Sequence, residues 1–256
     1  MKPGILVISH GSREAEWVGL VDVAIRNASK GISVPVVSSF LEIVEGRLIQ
    51  DGVDELERLG VTEMFVLPLF VSPGSTHVDE IGQAFGFPPL TDLEGDLGLF
   101  RVRANVTYGE PIGDDPEIAE LLLSHVLELS EEPDKEALLL IGHGSKEPVF
   151  HERWQLGLSS LAEQLRVLGG FSRAQYAMLL PDQAYSALNG MVGERPDETV
   201  IVVPVFISQG YFTNKVIPSR LEGLHYKYNG LAMLPNAAIE RWLTRRMTEW
   251  LDSRCL

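Results

Sequence analysis

Short runs of consecutive apolar residues alternate along this chain with segments in which apolar residues recur every three or four positions. Residues 5–9, 34–40 and 64–71 are runs of the first kind, the last one broken at Pro68. Continuous apolar strands between amphipathic segments are typical of a parallel sheet covered by helices on both faces. The same pattern predicts helices over residues 17–29, 49–59 and 116–129 and from about residue 76, with a fourth strand over residues 100–106.

The pattern occurs twice. GILVISHGSREAEW at residues 4–17 is matched by ALLLIGHGSKEPVF at residues 137–150, and His10 and His143 are 133 residues apart. TEMFVLPLFVSPG is matched in the same order by ETVIVVPVFISQG, with Pro68 and Pro204 offset by 136 residues. Two ordered matches at nearly constant offset indicate an internal duplication. The polar stretch SEEPDKE separates the copies, so we expect an N-terminal domain over 1–130 and a C-terminal domain over 136–256.

Candidate chemistry gathers at the ends of the first copy's strands. Parallel sheets bind ligands beyond the carboxyl ends of their strands. His10 follows the first predicted strand, Glu42 ends the second, and His77 comes after the third. Two imidazoles and a carboxylate suit divalent Fe, Co, Ni or Zn, and they also accept protons near neutral pH. The alternative is a structural His10 hydrogen-bonded at a turn.

Composition narrows the choice of function. A formal net charge of −15 argues against nucleic acid as a partner. Apolar runs are far shorter than the ~20 residues of a membrane helix. The one cysteine, Cys255, cannot form an internal disulfide, so we expect a reducing, cytoplasmic setting and no membrane association.

Other enzyme classes fit less well. A serine hydrolase would need Ser9, Ser12 or Ser75 as its nucleophile, but the sequence contains no Gly-x-Ser-x-Gly elbow. The glycine-rich fingerprints of nucleotide-binding loops do not follow any predicted strand. An enzyme that depends on ATP or NAD is therefore disfavoured.

Three segments together resemble the sirohydrochlorin chelatase family, the class II tetrapyrrole chelatases, in its long two-domain form. They are ILVISHGS, SFLEIVEGRLIQDGVDEL and VLPLFVSPGSTHVDEI. The resemblance implies two tandem Rossmann-like three-layer αβα domains with parallel sheets that face a cleft. It also implies insertion of Co²⁺, Fe²⁺ or Ni²⁺, as substrate, into sirohydrochlorin or a related tetrapyrrole, without ATP or a tightly bound cofactor.

The resemblance further implies roles for the three candidate residues. His10 and His77 would bind the metal or accept the pyrrole protons, and Glu42 would be a third ligand or part of a proton path. A non-catalytic tetrapyrrole or metal carrier remains the alternative. The pathway, siroheme or cobalamin, stays open; the lack of a His-rich stretch leans towards iron.

The second copy is expected to be degenerate. Aligning its second strand places Met178 on Glu42, and aligning its third block places Thr213 on His77, so that only His143 is kept. We therefore predict one active site, in the first copy, with the second copy as the cleft's other wall and His143 as a turn residue. Because the chain supplies both lobes, we expect a monomer.

Sirohydrochlorin is a polycarboxylate, so a chain this acidic needs a local basic site to bind it. Arg13 and Lys146 follow the two His-Gly-Ser motifs and are the first candidates. Further candidates for contact with the tetrapyrrole are Ser12, Ser75, Arg47 and Lys215.

Overall fold

A computed structural model describes residues 1–254, so the expectation for Cys255 lies outside the described residues. In the first copy the elements are β1 (Pro3–Ser9), α1 (Ala15–Ala28), β2 (Val36–Phe40), α2 (Ile49–Arg58), β3 (Glu63–Pro68), α3 (Thr76–Ala84), β4 (Asn105–Tyr108) and α4 (Pro116–Leu127). In the second they are β5 (Glu136–Gly144), α5 (Pro148–Gly169), β6 (Arg173–Leu180), α6 (Ala184–Glu194), β7 (Thr199–Pro204), α7 (Ile217–Arg220) and α8 (Ala237–Asp252). A single turn of π-helix, Phe212–Val216, called the π-turn below, precedes α7.

Both sheets are parallel, which confirms the predicted fold class. The first has the order β2-β1-β3-β4 and the second the order β6-β5-β7. The central strands are apolar because both of their faces are covered: Ile5 to Ile8 are fully buried. Beside β7 the backbone of Lys227 exchanges hydrogen bonds with Val200 and Val202, so this short segment takes the place of a fourth strand.

The periodicity of the helices is explained by burial against these sheets. The spacing of apolar residues at 49, 53, 56 and 59 predicts one buried face on α2; Ile49, Val53 and Leu56 are buried in the first core, whereas Leu59 follows the helix and is 38% exposed. Gly52 stands on the same helix where an added Cβ would lie 2.1 Å from Ser39 Oγ, so this residue must be small for α2 to approach the sheet.

The last helix of each sequence copy belongs to the other copy's compact unit. One unit consists of Met1–Pro111 with the segment from Pro235 onwards, and the other of Ile112–Leu234. Helix α8 packs on α1, and its Trp250 stacks on Phe65 with ring centroids 5.2 Å apart. Helix α4 packs on α5 instead. The domains expected over 1–130 and 136–256 follow the repeat in the sequence, whereas the compact units exchange these helices.

The strand predicted over residues 100–106 is wrong in its extent, because β4 begins only at Asn105. Side chains take the backbone donors that a strand would use: Gln50 accepts from Arg101 N, and Glu57 from Arg103 N and Ala104 N. The apolar side chains of this loop, Phe100 and Val102, pack on the core and so give it a strand-like sequence.

Candidate functional site

The carboxyl edge of the first sheet brings the three predicted residues together. Beyond the ends of β1 and β2 the parallel ladder continues for two further bonds, Leu41 N to Ser9 O at 2.8 Å and Glu42 N to His10 O at 3.1 Å. At Gly11, with φ of 102°, an added Cβ would lie 2.2 Å from the carbonyl oxygen of Glu42. Glycine at this position therefore lets the two chain segments meet.

His10 lies between the other two residues. Its ring centroid is 4.9 Å from that of His77, with the rings nearly perpendicular, and its Nδ1 is 3.7 Å from Glu42 Oε1. The three side chains are between 42% and 54% exposed, so a ligand can reach them. The two histidines thus stand side by side at a solvent-accessible strand edge.

The hydrogen bond of His10 fixes which ring nitrogen is available. Nδ1 lies 3.3 Å from the carbonyl oxygen of Gly11, an atom that can only accept a hydrogen bond. Nδ1 therefore carries the proton in the neutral ring, and Nε2 keeps a free lone pair for a metal ion or a proton. Glu42 approaches Nδ1, which makes it an orienting carboxylate for this ring.

Glu80 is a functional candidate that the sequence did not bring forward. His77 Nδ1 lies 3.4 Å from Glu80 Oε2, one turn further along α3. The other carboxylate oxygen of Glu80 accepts a hydrogen bond from Asp96 N at 2.9 Å, which holds the carboxylate in place. Each histidine thus has a carboxylate at Nδ1. The i,i+3 spacing on a helix that starts at Thr76 was the available signal.

A three-ligand metal centre is not preformed. Among residues 1–254, no three His, Cys, Asp or Glu side chains are grouped so that they could hold a metal ion. The arrangement is a pair of imidazoles, each backed by a carboxylate on its Nδ1 side. Such a pair can receive a metal ion transiently or take up protons.

The loop that carries Glu42 is strained and anchored. Ile43 has φ of 73°, which is unfavourable for a β-branched residue, in a γ-turn closed by Val44 N and Glu42 O at 2.8 Å. Four residues later, the guanidinium of Arg47 makes two hydrogen bonds to Asp22, at 2.6 and 2.8 Å, and lies over the Phe40 ring. The Asp22 bond raises the pKa of Arg47 despite partial burial. These contacts hold the loop against α1 and β2.

The residues predicted to contact the tetrapyrrole differ in the partners that they have in the structure. Arg13 and Lys146 are exposed, and within the part of the chain that the structure describes neither forms an ion pair. Arg47, in contrast, is already engaged by Asp22. Ser12 Oγ accepts a hydrogen bond from Glu14 N, as Ser145 Oγ does from Glu147 N, so both shape the turns after the histidines. Ser75 precedes α3.

The alignment of Met178 with Glu42 is wrong. Residues Ser9 and Gly142, which precede the two histidines, pair with Phe40 and Met178 respectively. Gly144 pairs with Leu180, two residues on, where Gly11 meets Glu42. The counterpart of Glu42 is therefore Leu180. The second strands are too dissimilar in sequence to fix this register, because the neighbouring strand sets it. The second copy still has no carboxylate at the position of Glu42.

The alignment of Thr213 with His77 is also wrong, in this case by one residue. In the first copy a ring chain runs from Phe70 to His77 to His10, with centroids 6.5 and 4.9 Å apart. In the second it runs from Phe206 to Phe212 to His143, at 5.6 and 5.1 Å. Phe212 thus takes the place of His77. Thr213, which the alignment placed there, is fully buried, with its hydroxyl bonded to Gly210.

A serine nucleophile gains no support from these contacts. Ser9 is buried. Ser12 is used by Glu14 N, and within residues 1–254 no hydrogen bond joins a serine hydroxyl to His10 or His77. Likewise, no helix of the described residues is both long and apolar enough to cross a membrane.

Comparison with known proteins identifies the family. The CbiX family model matches residues 4–129 and 137–251, once for each copy. The chain is a member of the CbiX family, which confirms the resemblance found in the sequence.

Individual relatives agree with this assignment. The chain is 23% identical to the sirohydrochlorin ferrochelatase of Priestia megaterium over 215 residues, covering 83% of this chain and 76% of that protein. It is 26% identical to the sirohydrochlorin cobaltochelatase of Methanococcoides burtonii over 129 residues, 50% of this chain but 97% of the relative. The short relative thus has the length of one copy.

Solved structures show the same fold. SirB from Bacillus subtilis with Fe³⁺ matches with a TM-score of 0.75 at 22% identity, covering 97% of this chain and 95% of that one. The sirohydrochlorin chelatase SirB from Bacillus subtilis subspecies spizizenii in complex with cobalt matches with a TM-score of 0.69 at 19% identity and the same coverage.

Proposed function

We propose that this chain inserts a divalent metal ion, Co²⁺ or Fe²⁺, into sirohydrochlorin or a related tetrapyrrole, without ATP. Membership of the CbiX family supports the reaction, and the names of the relatives support the substrate. The observation that carries the proposal is the His10–His77 pair, whose ring centroids are 4.9 Å apart and which is exposed at the carboxyl edge of the first sheet.

Insertion exchanges two pyrrole N–H protons for one metal ion. The metal, as substrate, must lose water while the protons leave. A neutral imidazole with Nδ1 protonated offers Nε2 for either step, because this nitrogen can replace a water on the metal or take a proton and form an imidazolium. His10 and His77 together supply two such positions.

The carboxylates have a supporting role in this mechanism. Glu42 lies 3.7 Å from His10 Nδ1 and Glu80 lies 3.4 Å from His77 Nδ1, so each carboxylate faces the Nδ1 side of its ring. Each also orients Nε2 away from itself. Glu42 is thus assigned to the proton path and the orientation of His10, and is not needed as a third metal ligand.

The site is proposed for the first copy alone. The second copy keeps His143 but has Phe212 and Leu180 where the first has His77 and Glu42. Neither replacement can bind a metal ion or take up a proton. We also retain the cytoplasmic setting and the monomer expected from the sequence; sedimentation of the purified chain measures the latter.

The test is metal insertion followed by absorbance. Purified protein is expected to accelerate Co²⁺ or Fe²⁺ insertion into sirohydrochlorin above the spontaneous rate, and His10→Ala to lower kcat by about 10²–10⁴-fold. A carrier would bind sirohydrochlorin without turnover, and His10→Ala would leave that binding unchanged. Competition among Fe²⁺, Co²⁺ and Ni²⁺ then identifies the preferred metal.

A further inference from the structure

The carboxyl edge of the second sheet carries an exposed aromatic cluster where the first sheet carries its histidine pair. Phe212 packs parallel to Phe206 and edge-on to His143, and Tyr211 packs edge-on to Phe212, with all centroids between 5.1 and 5.8 Å apart. Tyr211 is 72% exposed and Phe212 is 37% exposed. Two adjacent aromatic side chains open to solvent are unfavourable unless something covers them.

The backbone holds this cluster in a fixed arrangement. Thr213 is buried, and its hydroxyl hydrogen-bonds both the N–H and the carbonyl of Gly210. The carbonyl of Thr213 accepts a hydrogen bond of 2.7 Å from Tyr228. Phe212 and Thr213 begin the π-turn, Phe212–Val216, which is one turn of π-helix, a feature often found at functional sites. The rings are therefore presented by a rigid segment.

Two exposed lysines lie close in sequence to this aromatic cluster. Lys215 lies within the π-turn and Lys146 follows the His143-Gly144-Ser145 motif; both are exposed. Among the described residues neither forms an ion pair with a carboxylate. In a chain with a formal net charge of −15, exposed lysines close in sequence to exposed aromatic rings favour a flat apolar ligand that carries anionic groups.

We infer that Tyr211 and Phe212 form a stacking platform for the flat face of the tetrapyrrole macrocycle, with Lys146 and Lys215 taking its carboxylates. A planar, polycarboxylate macrocycle matches both features of this edge. The inference rests on the proposed function for the choice of ligand. It gives the second copy, which has neither the histidine nor the carboxylate of His77 and Glu42, a role of its own in binding substrate.

Equilibrium binding tests the platform separately from catalysis. Tryptophan fluorescence quenching is titrated with metal-free sirohydrochlorin and with uroporphyrin, another planar polycarboxylate macrocycle. Tyr211→Ala and Phe212→Ala are each expected to weaken binding by about tenfold, since aromatic stacking contributes at that level. Phe212→Leu keeps apolar volume without a π face and is expected to weaken binding as well. Lys146→Gln with Lys215→Gln is expected to weaken binding and flatten its salt dependence.

The matched control is Leu156→Ala, which removes from α5 an apolar side chain that is 65% exposed, between Phe212 and Tyr211 in exposure. It is expected to bind both macrocycles normally. Thermal unfolding midpoints within a few degrees of the parent show that the variants are folded. In turnover, the aromatic variants are expected to raise KM for the tetrapyrrole about tenfold, with kcat and KM for Co²⁺ unchanged.

Each outcome separates the two proposals. Normal metal insertion with unchanged macrocycle binding in Tyr211→Ala and Phe212→Ala overturns the platform and leaves the chelatase in place. Macrocycle binding that depends on Tyr211 and Phe212, without any metal insertion, supports the platform and overturns the chelatase. Failure of the parent chain to bind either macrocycle overturns the platform, as does an equal loss in Leu156→Ala.

Discussion

His77 and Glu80 are joined across one turn of α3, with His77 Nδ1 lying 3.4 Å from Glu80 Oε2. The carboxylate is held from its other oxygen by Asp96 N. It therefore positions the ring of His77, much as Glu42 positions the ring of His10. Glu80 is thus predicted to matter for catalysis without contacting the substrate.

Glu80→Gln is expected to lower kcat for metal insertion by about 10–100-fold, because loss of a carboxylate behind a functional histidine has effects of that size. Steady-state absorbance assays at saturating tetrapyrrole measure it. Glu94→Gln, an exposed change in the loop next to α3, is the matched control and should behave like the parent. Equal activity in both variants would remove Glu80 from the mechanism.

Asp22 anchors the loop of Glu42 through Arg47 and is predicted to affect activity from a distance. Asp22→Asn weakens the paired bonds of 2.6 and 2.8 Å. Because the pair is partly exposed, we expect a loss of only roughly 1 kcal/mol of unfolding free energy. Misplacement of Glu42 should also lower kcat several-fold, which the loss of stability alone does not explain. Urea unfolding and turnover, measured on the same preparation, check both effects; normal kcat would contradict the anchoring role.

Much of the fold follows from the sequence, because buried parallel strands and amphipathic helices leave a direct pattern. β1, α2 and β3 are examples, since continuous or periodic burial dictates their residues. Residues 100–104 imitate a strand because their apolar alternation serves the packing of a loop. The exchange of α4 and α8 leaves no pattern, since an amphipathic helix does not specify which of two similar sheets it covers.

The candidate site was predictable in its members but not in its details. His10, Glu42 and His77 all follow strands, and the carboxyl-edge rule brings them together. Which group faces each ring nitrogen depends on side-chain geometry. The orienting role of Glu42 and the position of Glu80 beside His77 are therefore visible only in the structure. The register of Leu180 is set by the neighbouring strand. The replacement of His77 by Phe212 is seen only in the ring contacts.

Helix α8 is predicted to stabilise the first compact unit although it follows the second in sequence. Trp250→Ala removes the stack on Phe65 and leaves a cavity, so we expect a loss of about 3–5 kcal/mol. Hydrogen exchange should quicken in β1 and β3 and remain unchanged in β5 and β7. Faster exchange confined to β5 and β7 would contradict the helix exchange.

Acid is predicted to destabilise the second unit through Glu136, which is 3% exposed. Burial raises the pKa of this carboxyl, but hydrogen bonds from Ser130 and Lys227 outweigh it and hold the pKa below the ordinary value of 4.5. The stabilisation is therefore complete above about pH 4.5 and is lost as the pH falls through the folded-state pKa.

Glu136→Gln is expected to cost about 1–3 kcal/mol at neutral pH, since it weakens buried hydrogen bonds to a charged group. It should also reduce the acid-dependent loss of stability between about pH 5 and pH 3. Urea unfolding across this range measures both effects. An unchanged pH dependence would show that Glu136 is not among the groups that titrate on acid unfolding.

The most direct measurement of the single-site claim compares His10→Ala with His143→Ala in the same metal insertion assay. The two histidines share the same motif and the same contact between Nδ1 and the following glycine carbonyl, but His10 faces His77 and His143 faces Phe212. His10→Ala is expected to lower kcat by about 10²–10⁴-fold, and His143→Ala to leave kcat within a few-fold of the parent. An equal loss of kcat in both variants would contradict an active site confined to the first copy.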